Sequence, residues 1–491
     1  MRVAIVGSGF GGIGAAIQLR RDGIEDIAIF ERAGEIGGTW RDNSYPGCAC
    51  DVESHLYSFS FAPNAAWTRT FSPQAEIWDY LRRTAARFGI DPLVRFHHEV
   101  QNARWDETAA RWMIATSAGD YSADVLVMAS GALSDPVIPS LPGLERFRGR
   151  VFHSARWDHS FAFDGRRVAV IGTGASAIQF VPAIQPHVAK LHLFQRTAPW
   201  VLPRHDRARG AGRRALFGRL PALQRLARGS IYARRELLVL AFRSPRVARV
   251  AQRVALAHMR RAVRDPALRA RLTPTYTLGC KRVLLSDDYY PAVARDNVEL
   301  VTDAIERVTE RGIVTADGVE RAVDAIIFGT GFQATDPPLA HHVYGRDGRT
   351  LAECWSGSMH AHAGTTVAGF PNLFVLPGPN TGLGHTSVIF MLEAQIDHLR
   401  GAMRLLGERG ARAIEPRATA QAAYVAAIDR RMRGTVWTSG GCRSWYLDAT
   451  GRNSTLWPDF TWRFRGRVAR IRPDEYELRG DAGHAGSLAD R

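Results

Sequence analysis

Arg2-Val3-Ala4-Ile5-Val6-Gly7-Ser8-Gly9-Phe10-Gly11-Gly12 opens the chain, and Arg167-Val168-Ala169-Val170-Ile171-Gly172-Thr173-Gly174-Ala175-Ser176-Ala177 repeats its plan far downstream. Each begins with a short β-branched run of the kind buried on both faces of a parallel sheet, passes through a glycine turn, and enters helical spacing. The first unit reads as a strand from Val3 to Val6, a helix from about Gly11 to Arg21, and a second strand from Ile27 to Phe30 that ends in Glu31. In the second unit a helix runs toward Ile184, and the strand Leu191 to Phe194 ends in Gln195-Arg196-Thr197. Strand, crossover helix and parallel strand, encoded twice, predict an α/β chain with two Rossmann-like dinucleotide-binding domains.

A glycine triplet alone is weak, so the flanking residues decide what each turn holds. At Gly7, Gly9 and Gly12 the backbone can approach a pyrophosphate at the helix N-terminus, and Glu31 stands where an acid accepts ribose hydroxyls. A carboxylate there repels a 2′-phosphate, which predicts FAD or NAD at this site and excludes NADP. The second turn, with Gly172, Gly174, Ala175, Ser176 and Ala177, has Arg196 and Thr197 at the matching strand end. A guanidinium and a hydroxyl suit a 2′-phosphate and predict NADPH. One FAD-like and one NADPH-like site imply hydride transfer from nicotinamide to flavin.

Working outward, Asp124 to Gly131 and Asp324 to Gly331 share a buried-strand pattern that ends in glycine. Each reads as a strand that closes one nucleotide fold or leads back to the other. Residues 204–272 break the alternation with Ala, Leu and Arg at helical spacing and predict an inserted set of helices. After Phe332 strands return, with Leu373 to Leu376 leading into the glycine-rich turn Gly378 to Gly384 and a helix from about Ser387 to Leu405. That helix could aim its positive end at a flavin, or the turn could simply pack. The predicted division is 1–142 and 332–491 for the FAD domain, 143–203 and 273–331 for the NADPH domain, and 204–272 for the insertion. The tail past Ile471 is polar and is expected to fray.

A chain of 491 residues, 46% apolar and 23% charged, is long enough for two or three domains with substantial cores. Its net charge of +16 is concentrated in residues 204–271, where 19 Arg against 3 acids give 19 − 3 = +16. A charge confined to one segment argues against a nucleic-acid-binding protein. It leaves a solvated helical surface, or contact with acidic lipid, an acidic partner or an anionic cofactor, as the readings of that segment. No run is long and apolar enough to span a bilayer, and Met1 leads straight into the first strand. A cytoplasmic protein is therefore expected, with attachment to the inner face of the membrane as the variant. Cys48, Cys50, Cys280, Cys354 and Cys442 are odd in number and lack metal-ligand spacing, so free thiols and no metal are expected.

Phe147-x-Gly149-x3-His153-x3-Trp157-Asp158 resembles the fingerprint of type I Baeyer-Villiger monooxygenases. Gly37-Gly38-Thr39-Trp40, followed by Tyr45-Pro46-Gly47 and Asp51, resembles a second signature of that family, and Cys280-Lys281-Arg282 its arginine-bearing segment. The resemblance runs from Val3 to about Phe464 and is weakest across the insertion. It implies an enzyme that converts a ketone to an ester or lactone with O2 through a C4a-peroxyflavin. It further implies that Gly38, Thr39 and Trp40 lie against the flavin. Arg282 would support the developing oxyanion, Asp51 would hold Arg282, and Lys281 with Arg196 would contact the 2′-phosphate of NADP. His153 is a motif residue that could equally be a hydrogen-bonded hinge. The related flavin-containing monooxygenases, which oxygenate sulfur or nitrogen of soft nucleophiles, usually differ at Trp157-Asp158 and are the alternative. A flavoprotein scaffold without activity, docked through the basic segment, is a further one. A disulfide reductase is discounted, because Cys48 and Cys50 are separated by a single residue and match neither CxxC nor CxxxxC spacing.

Overall fold

Short β-branched runs that are buried on both faces pair best inside parallel sheets covered by helices, and two such sheets organise the molecule. The computed structural model describes residues 1–480. The first sheet has the order Leu373–Val375, Val125–Met128, Val3–Val6, Ile27–Phe30, Val94–Arg95, with every pairing parallel. The second has the order Val298–Val301, Lys190–Phe194, Arg167–Ile171, Ala325–Phe328, Arg150–His153, again all parallel. Val125–Met128 and Ala325–Phe328 thus take the same position, beside the first strand of their own unit. The chain enters the second sheet at Arg150 and passes back to the first after Phe328.

Phe10–Arg21 covers the first sheet and packs against the 22-residue helix Val388–Arg409. Between the two Rossmann-like cores lies one continuous apolar cluster that includes Ile5, Ile29 and Leu56 from one side and Val170, Phe180 and Leu193 from the other. Burial shared in this way fixes how the two nucleotide loops face each other. A mixed sheet packs as a second layer on the first domain: Val100–Asp106, Arg111–Thr116 and Gly119–Ala123 run antiparallel, and Val343–Tyr344 joins Val100–Asp106 in parallel.

The segment rich in Ala, Leu and Arg forms the helices Ala211–Arg219, Pro221–Leu237, Val239–Arg243, Pro245–Ala262 and Pro266–Leu272. Proline, which has no N–H to leave unsatisfied, begins three of them. Among the described residues no helix is long and apolar enough to cross a membrane.

Two expectations are corrected. Cys280 and Cys442 form a disulfide across a sequence separation of 162, and Cys48, Cys50 and Cys354 are free. Residues so far apart carry no spacing signal, and only the fold brings their Cα atoms to 6.1 Å. The tail is not frayed at Ile471. Tyr476–Arg479 pairs antiparallel with Ala413–Pro416, because Tyr476 finds a buried site and hydrogen-bonds Thr366 and His398. Residues 481–491 lie outside the described residues.

Candidate active site

The first glycine turn is built by close approach. Gly7 has φ +100°, and a Cβ there would lie 2.6 Å from the Ala129 carbonyl oxygen, so the turn sits directly on the end of the neighbouring strand. Gly9 faces Gly38 of the second signature. A Cβ on Gly38 would come within 3.2 Å of the Gly9 Cα, leaving two bare backbone loops side by side at the helix N-terminus. Thr39 and Trp40 begin the short helix Thr39–Asp42, and the Trp40 indole donates to the Tyr57 hydroxyl at 3.1 Å.

Glu31 is buried at the strand end, accepting from the Ser8 hydroxyl at 2.6 Å, the Ser8 N–H at 3.1 Å and the Ala33 N–H at 2.9 Å, and pairing with Arg41 at 3.0 Å. Burial pushes its carboxyl pKa up, but these donors outweigh it and hold the group below the usual carboxylate value. An ionised carboxylate therefore stands at the strand end where a 2′-phosphate would be repelled.

Gly172 repeats the geometry of Gly7, with φ +107° and a Cβ position 2.5 Å from the Gly329 carbonyl oxygen. Gly174 and Ala175 lie exposed and Ser176 half-exposed before the helix Ala177–Ile184. The Thr173 hydroxyl donates to the Thr197 carbonyl at 3.4 Å and so joins the turn to the Arg196-Thr197 strand end. Arg196 is exposed there, and Lys281 approaches it from the other side of the insertion. Burial and then the Arg196 guanidinium depress the Lys281 ammonium pKa. Two cations that repel each other concentrate positive charge that an anion would relieve.

Asp51, Arg282 and Leu383 come from three separate loops. Arg282 donates from Nε and Nη2 to the two carboxylate oxygens of Asp51, each at 2.8 Å, and from Nη1 to the Leu383 carbonyl at 3.3 Å. The side chains remain 29% and 27% accessible, so the pair is held but reachable. Burial is the largest influence on the Asp51 carboxyl and raises its pKa, but the Arg282 charge, the Arg282 hydrogen bonds and the Arg235 charge together outweigh it and hold the group below its ordinary value. In return the Asp51 carboxylate drives the guanidinium pKa above its ordinary value. The pair is therefore ionic at any working pH.

Its supports include residues that sequence reasoning missed. Arg235, on the insertion, donates to the Asp51 carbonyl at 2.9 Å and pairs with Glu53 at 2.6 Å. Tyr446 is buried beside Arg282, with its phenol pushed up to about 12 by burial. The disulfide holds the Tyr446 loop to the Arg282 loop, helped by the Thr277 N–H donating to the Gly440 carbonyl at 2.9 Å. No local pattern marked Arg235 among so many arginines. The Trp445-Tyr446 pair was the only available hint in its loop.

The fingerprint builds framework in place of the reactive centre. A Cβ on Gly149 would meet the Asp324 carbonyl oxygen at 2.5 Å and the Phe147 ring at 2.6 Å, so the phenylalanine ring lies over bare backbone at the sheet edge. His153 is buried; its Nδ1 accepts from the Ala155 N–H at 3.1 Å, and burial pushes the imidazole down to about 4. Trp157 packs among Phe152, Phe163, Phe180 and Tyr45, and thereby touches the Tyr45-Pro46-Gly47 loop that leads to Asp51. Asp158 accepts from Arg150 Nε at 2.9 Å and from the Ser160 N–H at 3.0 Å, closing the turn. Gln179 then links the domains, accepting from the Tyr45 hydroxyl at 3.0 Å and donating to the Ala49 carbonyl at 2.9 Å. The structure thus brings Asp51 to Arg282 and Lys281 to Arg196, and sets Phe147, Gly149, His153, Trp157 and Asp158 in the connecting frame.

Residues 1–216 match the flavin-binding monooxygenase-like family. The chain is 54% identical over 480 residues to a Baeyer-Villiger monooxygenase of Streptomyces coelicolor, covering 97% of this chain and 92% of that protein. A second relative, the Baeyer-Villiger monooxygenase of Pseudomonas aeruginosa, is 49% identical with coverage of 97% and 91%. Among solved structures, a steroid monooxygenase bound to NADP superposes with a TM-score of 0.86 at 31% identity, covering 98% of this chain and 99% of that one.

Proposed function

This chain belongs to the Baeyer-Villiger monooxygenases, and from that premise we propose that Arg282, held by Asp51, is the group that makes oxygen insertion beside a ketone carbonyl possible here. The protein is a FAD-dependent, NADPH-consuming monooxygenase, taking ketone, O2, NADPH and a proton to ester or lactone, water and NADP+. The observation that carries the assignment of residues is the bidentate Asp51–Arg282 pair, ionic yet partly open, where loops of both nucleotide domains converge.

The cofactor sites fit their groups. Bare backbone at Gly9 and Gly38 suits a pyrophosphate, and ionised Glu31 suits ribose hydroxyls. Gly172, Gly174, Ala175 and Ser176 form the second turn, and Arg196, Thr197 and Lys281 would hold a 2′-phosphate there. Bound FAD supplies the redox chemistry, accepting hydride from NADPH and activating O2. The chain supplies binding, orientation and charge. Arg282 offers guanidinium N–H groups to the negative charge that gathers on the substrate carbonyl oxygen as an oxygen nucleophile adds to it. Asp51 and the Leu383 carbonyl set the plane of that guanidinium, while Arg235 and Tyr446 hold the pair from behind.

Incubation of the FAD-loaded protein with NADPH, O2 and a panel of linear, cyclic and aryl ketones plus a thioether tests the reading. Ester or lactone from at least one ketone is expected. Sulfoxide with no ester from any ketone would assign the site to soft-nucleophile oxygenation instead.

A further inference from the structure

The insertion leaves large apolar side chains facing outward on two of its helices. A helix on a protein surface ordinarily turns its apolar stripe to the core. Pro221–Leu237 does so only in part: Ile231 and Tyr232 pack half-buried on the core, but the fully buried positions are the polar Gln224 and Glu236, while Leu226 is 71% and Leu237 62% exposed. Its polar face is consumed in anchoring. Gln224 donates to the Asn64 carbonyl at 2.7 Å, Arg228 to the His55 carbonyl at 2.8 Å, and Glu236 accepts from the Thr461 N–H at 2.8 Å. The leucine face, with Leu220 and Leu223, is left toward solvent.

Pro245–Ala262 buries an apolar face in the ordinary way but carries a second apolar stripe outward. Ala248, Ala255 and Met259 face inward, and Val247, Val250 and Val254 form an exposed stripe at three- and four-residue spacing, with Val250 61% exposed. Arg246, Arg249, Arg253 and Arg260 run exposed beside that stripe. The three acids of residues 204–271 are all engaged elsewhere: Asp206 pairs with Arg69, Glu236 holds Thr461 and His385, and Asp265 caps the next helix. The arginine row therefore has no countercharge from its own segment.

We propose that the exposed aliphatic stripes of these two helices, which are joined through the short helix Val239–Arg243, dock on an anionic lipid bilayer. Exposed apolar side chains of this number mark a contact surface. Aliphatic stripes flanked by guanidiniums match the boundary between acyl chains and phosphates, where arginine stems lie on apolar surface and their heads reach the headgroups. A second copy of the chain fits poorly, since it would bring two arginine rows together. The face also adjoins the active site. Phe242, in the short helix between the two, stacks on Trp437 at 5.2 Å and closes over Gly279 and Gly384, neighbours of the Arg282 and Leu383 loops. Delivery of a bilayer-dissolved ketone along this path rests on the Baeyer-Villiger reading, but the docking does not.

Sedimentation of the full-length, FAD-loaded protein with vesicles tests it without reference to activity. Binding is expected to vesicles of mixed phosphatidylcholine and phosphatidylglycerol, and not to phosphatidylcholine alone. Replacing Arg246, Arg249, Arg253 and Arg260 by Gln should weaken it about fivefold per arginine. A Leu226→Glu/Val250→Glu variant should abolish it, with FAD content and NADPH oxidation unchanged in both variants. No sedimentation with the mixed vesicles overturns the proposal. So does unaltered binding by Leu226→Glu/Val250→Glu, which would mean ionic adsorption only. Concentration-dependent dimers, or retention on polyglutamate, without vesicle binding would overturn it in favour of a second copy or an acidic protein.

Discussion

Replacing Arg282 by Ala separates what the guanidinium does for the fold from what it does for the reaction. In the folded protein it makes two hydrogen bonds of 2.8 Å to Asp51, and its removal leaves a carboxylate largely surrounded by protein. Breaking a buried ion pair costs roughly 3–5 kcal/mol. With 27–29% of each side chain open to water, screening reduces this to about 2 kcal/mol. The chemical loss is larger, because a missing donor to a developing oxyanion costs on the order of 100- to 1000-fold in kcat.

Ester formation by gas chromatography, NADPH oxidation by absorbance and melting by flavin fluorescence read the two effects apart. Arg282→Ala should bind FAD, melt earlier and form ester at least 100-fold more slowly by this estimate. The double variant Asp51→Asn/Arg282→Gln, with no unpaired charge, should regain most of the melting temperature and none of the ester. Ester formation within tenfold of the parent in Arg282→Ala, or restored in the double variant, would refute the role.

Arg196→Ala should raise the KM for NADPH far more than for NADH, and equal effects in steady-state kinetics would move the 2′-phosphate site elsewhere. Gly149→Ala should destabilise by about 2 kcal/mol, since its methyl must displace the Asp324 backbone and the Phe147 ring; an unchanged urea midpoint would contradict this packing. His55, His153 and His398 are buried with pKa values pushed down to about 4, chiefly by burial. Below about pH 6.5 the unfolded chain therefore binds protons that the folded one refuses, and stability should fall from there toward pH 4, by up to about 1.4 kcal/mol per histidine per pH unit. A melting temperature that stays flat between pH 6.5 and 4.5 would contradict it.

The two strand–turn–helix units were legible because everything that makes them is local. A β-branched run, glycines that permit the backbone to fold onto the neighbouring strand, and a charge at the next strand end all fall within about thirty residues, the length of one βαβ unit. Glu31 and Arg196 could be assigned opposite preferences for the same reason. The fingerprint was recognisable as a string, yet its task was not. Only the packed structure makes Phe147, Gly149, Trp157 and Asp158 a frame that carries the Asp51 loop.

Proximity across the fold was illegible from periodicity or spacing. Asp51 and Arg282 lie 231 residues apart and were paired only by resemblance, while Arg235 and Tyr446 were not marked at all. The Cys280–Cys442 disulfide ran against the expectation of free thiols, because cysteine spacing carries no information about contacts made by distant loops. The insertion shows the same division. Composition alone specified helices and a charge of +16, but which face of each helix turns inward depends on partners such as Asn64, His55 and Thr461 that lie far away in sequence. The local sequence determined the elements and where the two glycine turns fall. The tertiary structure decided which side chains meet and which are left facing out, since burial and hydrogen-bond partnership are properties of the packed chain.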